Sequence, residues 1–140
     1  TNAMMPKAIV QNANNLLKKV DTDLKRSDIL ILGATFKENC PDFRNSKVED
    51  LIGLIASKAK SLSVYDPYFL EGTIAFSKKN SFFKSLDQSF KKKYDLIIIA
   101  VPHKEFQKIG HQAIKNLLKK NSPLYDLKSL FSSDISDLQL

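Results

Sequence analysis

The stretch that most restricts the fold is Asp95-Leu-Ile-Ile-Ile-Ala-Val101, an apolar run rich in β-branched residues and halted by Pro102. A second run, Ile29 to Leu32, is apolar throughout and is ended by Gly33. Segments this short and this uniformly apolar have no polar face to turn toward water. They read as strands buried on both faces, the condition of a parallel sheet covered by helices on either side.

The segments between these runs agree with that reading. Ser61 to Tyr65 is a further strand, stopped by Asp66-Pro67, and Pro123 to Asp126 is a last one, closed by Leu127-Lys128-Ser129. Residues 5 to 20 form a helix with Pro6 in its first turn and a stripe of Ile9, Ala13, Leu16, Leu17 and Val20. Ser46 and Glu49 make a capping box for a helix from Lys47 to about Lys60, which buries Val48, Leu51, Ile52, Leu54, Ile55 and Ala59. A third helical region runs from Lys104 to Lys120, with a break expected at Gly110. Phe82 and Phe83 are expected to be buried, and Leu86 to Lys92 is expected to be helical with Ser85 as its cap. The pattern from Tyr68 to Asn80 is weak, with a short element around Ile74 to Phe76, and the polar tail from Ser132 is expected to fray. Strands alternating with helices at these spacings predict a Rossmann-like α/β fold, doubly wound on a mainly parallel sheet of at least four strands. One helix precedes it, over residues 1–25, and packs either on the sheet of residues 26–140 or elsewhere.

With 140 residues, 43% of them hydrophobic, the chain fits one domain with a sizeable core. No apolar run approaches the roughly 20 residues of a membrane helix, and Thr1 to Pro6 has no secretory signal, so a cytoplasmic location is expected. A single cysteine, Cys40, permits no disulfide framework, and His103 and His111 lack metal-ligand spacing. The net charge of +7 allows an anionic partner, but the lysines are scattered and no aromatic–glycine pattern of nucleic-acid binders accompanies them.

The carboxyl end of the first strand draws the functional question. A dinucleotide-binding domain carries G-x-G-x-x-G there, whereas this chain has Gly33 alone, then about a dozen residues before the helix. Lys37 and Arg44 on this long loop are the cations that could hold a diphosphate, arginine as a fork and lysine as a point charge. The residues alone equally allow a solvated connection, with Asp42 pairing either cation. Asp66 stands where a ribose-binding acid would stand, or forms a turn. Cys40 has no base or helix start beside it in sequence to make it a nucleophile, and Lys128 is a third cation at a strand end.

Taken together, Gly33-x-x-Phe36-Lys37-Glu38-Asn39-Cys40-Pro41-Asp42-x-Arg44-Asn45-Ser46-Lys47-Val48 resembles the opening motif of the C-terminal domain of the UDP-glucose/GDP-mannose dehydrogenase family. The Glu-Asn-Cys-Pro-Asp form looks most like the branch acting on UDP-N-acetyl-hexosamines. Val64-Tyr65-Asp66-Pro67, the segment Asp95 to Phe106, and Tyr125-Asp126-Leu127-Lys128 are similar to later strands of that domain, in the same order. Met5-Pro6 resembles the end of the family's central helix.

The resemblance implies an NAD-dependent oxidoreductase for bacterial capsule and O-antigen sugars, in which another domain binds NAD and a central region carries the nucleophilic cysteine. It implies that Phe36 and Lys37 contact the UDP-sugar, that Lys128 stands at a nucleotide-sugar contact, and that Arg44 reaches the NAD of the other domain. Cys40 belongs to the loop and is not that nucleophile, so no catalytic residue is expected in this chain. The missing glycine-rich motifs suggest one domain of a longer enzyme that dimerises through its central helix. The expected partners are therefore a UDP-sugar, the rest of the parent enzyme and a possible second copy, with neither nucleic acid nor membrane. A non-catalytic nucleotide- or protein-binding module and a basic nucleic-acid-binding domain are the rival readings.

Overall fold

The computed structural model describes residues 5–35, 47–68, 80–83 and 92–139, with the backbone alone for Lys47 and residues 80–83. Its elements are α1 (Pro6–Lys18), a 3-10 turn (Leu24–Arg26), β1 (Asp28–Leu32), α2 (Lys47–Lys58), β2 (Ser61–Tyr65) and β3 (Asn80–Phe83). They continue with β4 (Leu96–Ile99), α3 (Lys104–Ile109), α4 (His111–Lys115), β5 (Leu124–Asp126) and β6 (Leu138–Gln139). The strands form one sheet in the order β3-β2-β1-β4-β5-β6, every neighbouring pair parallel. This is the doubly wound order expected from the alternation of apolar runs and helices.

The apolar runs are buried on both faces, as their composition requires. Ile29, Ile31, Leu62, Val64, Leu96 and Ile98 share one core with α1 and α2. Leu30, Leu32, Ile97 and Ile99 point the other way, into a core with Phe106 of α3 and Ile114 of α4. Burying each such aliphatic side chain contributes about 1.5–3 kcal/mol, so the strands hold the two layers together.

α1 packs on the sheet. Ile9, Val10, Ala13, Leu16 and Leu17 are buried in the first core, while Val20, expected in the same stripe, is 38% exposed because the helix ends at Lys18. Asn12 Nδ2 donates to the Tyr125 hydroxyl at 3.0 Å, tying α1 to β5. Burial pushes the Tyr125 phenol up, partly offset by that hydrogen bond. The connection after α1 is more than a polar link, since Leu24 is buried and its amide donates to Asn14 Oδ1 at 3.2 Å.

Two further expectations need correction or refinement. The helical region after Lys104 does break at Gly110, whose φ of 87° belongs to the left-handed side. The tail from Ser132 does not fray: Leu138–Gln139 adds a sixth strand beside β5. Asp137 makes this possible by pairing with Leu124 twice, its carboxylate accepting the Leu124 amide at 2.8 Å and its own amide donating to the Leu124 carbonyl at 2.9 Å. The Ser46 cap, the element around 74–76, the side chains of Phe82 and Phe83, and the helix expected over Leu86 to Lys92 with its Ser85 cap lie outside the described residues, save Lys92, which is not helical.

At the amino edge of the sheet, Asp28 accepts from the Ser61 hydroxyl and lies 3.8 Å from Lys92 and 3.9 Å from Lys119. Burial raises its pKa, but the Ser61 hydrogen bond and the ammonium groups of Lys92, Lys60 and Lys119 outweigh it and leave the carboxyl below its ordinary value. A carboxyl depressed in the folded state stabilises it above the ordinary value and loses that contribution as pH falls through the folded value. The stability difference between the wild type and Asp28→Asn, measured by urea denaturation, is therefore expected to be largest near neutrality and to narrow below about pH 4.

Gly33 ends β1 at φ 94°, and a Cβ there would sit 2.6 Å from Val101 Cβ and 2.9 Å from the Val101 backbone nitrogen and oxygen. Backbone atoms cannot swing aside as a flexible side chain can. Gly33→Ala is expected to cost at least about 2 kcal/mol, read as a lower urea midpoint with unchanged slope.

Candidate functional site

The sheet's order reverses at β1. The chain winds from β1 out to β2 and β3, then returns to place β4 on the other side of β1. In such sheets ligands bind beyond the carboxyl ends of the strands at this reversal. The backbone there is Gly33-Ala34-Thr35 after β1 and Ala100-Val101-Pro102-His103 after β4, with Asp66 after β2 on the adjoining side.

These segments are locked together. The Leu32 carbonyl accepts from Ala100 at 2.9 Å and Val101 at 3.3 Å, and the Gly33 amide donates to the Tyr65 carbonyl at 2.9 Å. Asp66, fully buried, takes the Ala34 amide on Oδ2 at 2.7 Å and the Tyr68 amide on Oδ1 at 2.8 Å. His103 Nε2 stands 3.0 Å from the same Oδ2 and 3.1 Å from Thr35 Oγ1, with all three side chains buried. Nε2 thus faces a carboxyl oxygen and a hydroxyl at once, each within hydrogen-bond distance. Tyr68 and Phe106 wall the imidazole, their rings 4.8 and 5.4 Å from it. Removing one member of such a fully buried, bonded set leaves the polar atoms of the others without a partner, at a cost of about 1–3 kcal/mol.

This arrangement also says what the turn after β1 does not do. In a glycine-rich dinucleotide turn the backbone amides face a phosphate. Here the Ala34 amide faces an internal carboxylate, and Asp66 accepts from backbone and imidazole with no hydroxyl of a ribose required. Of the two readings of Asp66, the buried, bonded turn is the one realised.

Of the residues singled out by sequence, Phe36, Lys37, Arg44 and Cys40 lie outside the described residues. The described chain runs up to Thr35, at the strand reversal, and resumes at Lys47. Lys128 lies just beyond β5 at the same edge and is exposed, following Leu127, whose amide donates to the Ile99 carbonyl at 3.0 Å. His111 is apart from this cluster, its ring 5.7 Å from that of Phe131 at the start of α4. Sequence reasoning missed the Thr35–His103–Asp66 cluster. The available signal was a polar residue within four positions of each strand's end, Thr35 after β1, Asp66 after β2 and His103 after β4, but which polar residues meet depends on strand order. Among the described residues, no group of three or more His, Cys, Asp or Glu side chains could hold a metal ion, and no helix is long and apolar enough to cross a membrane.

A groove of about 970 Å³ lies elsewhere, between α1, the 3-10 turn and α2. It is lined by Lys7, Lys18, Lys25, Lys58 and Lys60 with Asp23, at the amino ends of β1 and β2. Lys18 and Lys58 occupy the last turns of their helices, where cations offset the negative end of the helix dipole. That accounts for much of the charge without a ligand.

Comparison with known proteins extends these observations. The sequence profile of the UDP-glucose/GDP-mannose dehydrogenase family, UDP binding domain, matches residues 30–133. The chain is 38% identical over 125 residues to UDP-N-acetyl-D-glucosamine 6-dehydrogenase of Pseudomonas aeruginosa, covering 89% of this chain and 28% of that protein. It is 32% identical over 133 residues to protein CapL of Staphylococcus aureus, covering 95% of this chain and 30% of that one. Its fold superposes on an NDP-N-acetyl-D-galactosaminuronic acid dehydrogenase of Methanosarcina mazei with a TM-score of 0.75 at 21% identity, over 95% of this chain and 27% of that one. The chain thus spans under a third of the length of these relatives. The match begins inside β1, runs through the strand reversal and extends beyond β5, and by it this chain belongs to the UDP-glucose/GDP-mannose dehydrogenase family, within that family's UDP-binding domain.

Proposed function

We propose that the chain is the C-terminal, nucleotide-sugar-binding domain of an NAD-dependent UDP-sugar 6-dehydrogenase. The observation that carries this reading is the match of residues 30–133 to the family's UDP-binding domain. The substrate is a UDP-N-acetyl-hexosamine or UDP-glucose, oxidised at C6 to the uronic acid, for capsule or O-antigen synthesis in the cytoplasm. The identity to the Pseudomonas UDP-N-acetyl-D-glucosamine enzyme supports the first of these substrates.

In this reading Phe36 and Lys37 bind the UDP-sugar where the chain leaves β1, and Lys128 approaches it from the end of β5. Its exposure at the carboxyl edge supports that role. Each ammonium–phosphate contact is charge-assisted and contributes about 1.5–3 kcal/mol. Arg44 contacts NAD, which accepts hydride while held mainly by another domain of the parent enzyme. Residues 1–25, with α1, are the end of the central helix through which the parent forms a homodimer, and residues 26–140 are the binding domain. The chain contributes no catalytic residue and works by holding the nucleotide.

Calorimetric titration of UDP onto the 140-residue chain tests this. UDP binding is expected, weakened about 10- to 100-fold by Lys37→Ala. Equal affinity in wild type and variant would remove Lys37 from the site. With UDP-N-acetylglucosamine and NAD, the chain is expected to generate no NADH by absorbance; substantial turnover would place catalytic groups within it.

A further inference from the structure

We propose that the groove between α1, the 3-10 turn and α2 is a docking site for an acidic segment of a partner protein. The groove lies at the amino ends of β1 and β2, the opposite end of the sheet from the strand reversal. The proposal does not depend on the UDP reading of that other edge.

The walls are held by the backbone. Along α1 the lining residues Lys7, Val10, Asn14 and Lys18 follow one another at helical spacing, so the groove tracks one face of that helix for about 16 Å. The facing wall is α2, with Leu54, Ser57 and Lys58 on one stripe. The 3-10 turn is bonded to both sides. The Leu24 amide donates to Asn14 Oδ1 at 3.2 Å, and the Lys60 amide donates to the carbonyls of Leu24 at 3.3 Å and Ser27 at 3.1 Å. A recess of about 970 Å³ whose walls are joined in this way needs little ordering when an occupant enters.

Its charge is one-sided. Five exposed lysines, Lys7, Lys18, Lys25, Lys58 and Lys60, line it against one carboxylate, Asp23. Asp23 is already engaged, its Oδ1 accepting from the Arg26 amide at 3.2 Å and from Arg26 Nε at 3.4 Å. Among the described residues, no carboxylate forms an ion pair with any of the five lysines. Helix ends account for Lys18 and Lys58 but not for the others. Lys7 stands in the first turn of α1, where the dipole is positive and a cation is unfavourable, and Lys60 lies outside every helix. Cations gathered in a recess reinforce one another's field, and an anionic occupant relieves their repulsion.

The lining also selects among anions. Leu54 is half-buried and the lysine stems are aliphatic, which suits a chain carrying aliphatic side chains among its carboxylates, seated between two helices. Among the lining residues there is no aromatic or arginine side chain to stack on nucleic-acid bases. A concave recess does not meet a flat membrane surface. A second copy of this chain carries the same net charge of +7 and is repelled.

The test uses a capped synthetic peptide of repeated Leu-Glu-Glu-Leu-Ala-Glu-Glu, added to the 140-residue chain. Fluorescence anisotropy of the labelled peptide is expected to give a Kd of about 10–100 μM in about 50 mM salt, weakened at least about fivefold in about 300 mM salt. In amide NMR spectra the peptide is expected to shift the signals of Gln11, Asn14 and Ser57, which line the groove. Lys7→Glu combined with Lys25→Glu is expected to weaken binding at least about tenfold. Lys108→Glu with Lys120→Glu, the same change of charge at exposed positions away from the groove, is expected to stay within about twofold of wild type. Thermal melting checks that each pair folds. If the groove pair does not fold, Lys25→Ala alone decides: a loss of about threefold supports the proposal and unchanged affinity overturns it. The proposal is also overturned if the peptide does not bind, or if both pairs weaken it equally, as attraction to net charge alone would do. Tighter binding of a poly-thymidine oligonucleotide or of phosphatidylserine vesicles, lost with the groove pair, overturns it in favour of those ligands.

Discussion

The carboxyl edge depends on how closely β1 and β4 approach at Gly33 and Val101. No side chain fits between them, and one carbonyl, that of Leu32, serves two amides of the segment just after β4. This contact sits where the sheet reverses its winding, so it joins segments far apart in sequence. His103 follows Val101 by two residues and Thr35 follows Gly33 by two, which is why their side chains meet. A wider gap at residue 33 would separate the imidazole from the hydroxyl even with every polar residue in place.

The second consequence is electrostatic. A fully buried carboxylate is tolerable only when donors surround it, and Asp66 has backbone donors from Ala34 and Tyr68 and the ring nitrogen of His103. Bonding of this kind occupies the Ala34 amide internally, so that amide is not turned outward to a ligand. The fold keeps the winding of a dinucleotide-binding domain while its first turn is built for a different task.

Much of the fold was legible because burial on both faces leaves a plain mark. Ile29–Leu32 and Leu96–Ile99 contain nothing that water could solvate, and each is a central strand. The break at Gly110 was legible from a single glycine in an otherwise helical pattern. β6 was not, because Leu138–Gln139 has no apolar alternation and is held by backbone pairing and the Asp137 carboxylate. The Thr35–His103–Asp66 cluster was illegible for a different reason. Its members are 68 and 37 positions apart, and only the placement of β1 between β2 and β4 brings them together. Lys37 and Arg44 lie outside the described residues, so the separate roles expected of them rest on the resemblance of the surrounding motif.

α1 has a mechanical meaning as well as a packing one. Its apolar face shares a core with the sheet, and Asn12 is bonded to Tyr125 of β5. The link from α1 to β1 is pinned along its length: Thr22 to the Leu17 carbonyl, Leu24 to Asn14, and Lys60 to the carbonyls of Leu24 and Ser27. These bonds join α1 to the strands across the 19–27 link, so the helix belongs to the same packed body as β1, β2 and β5.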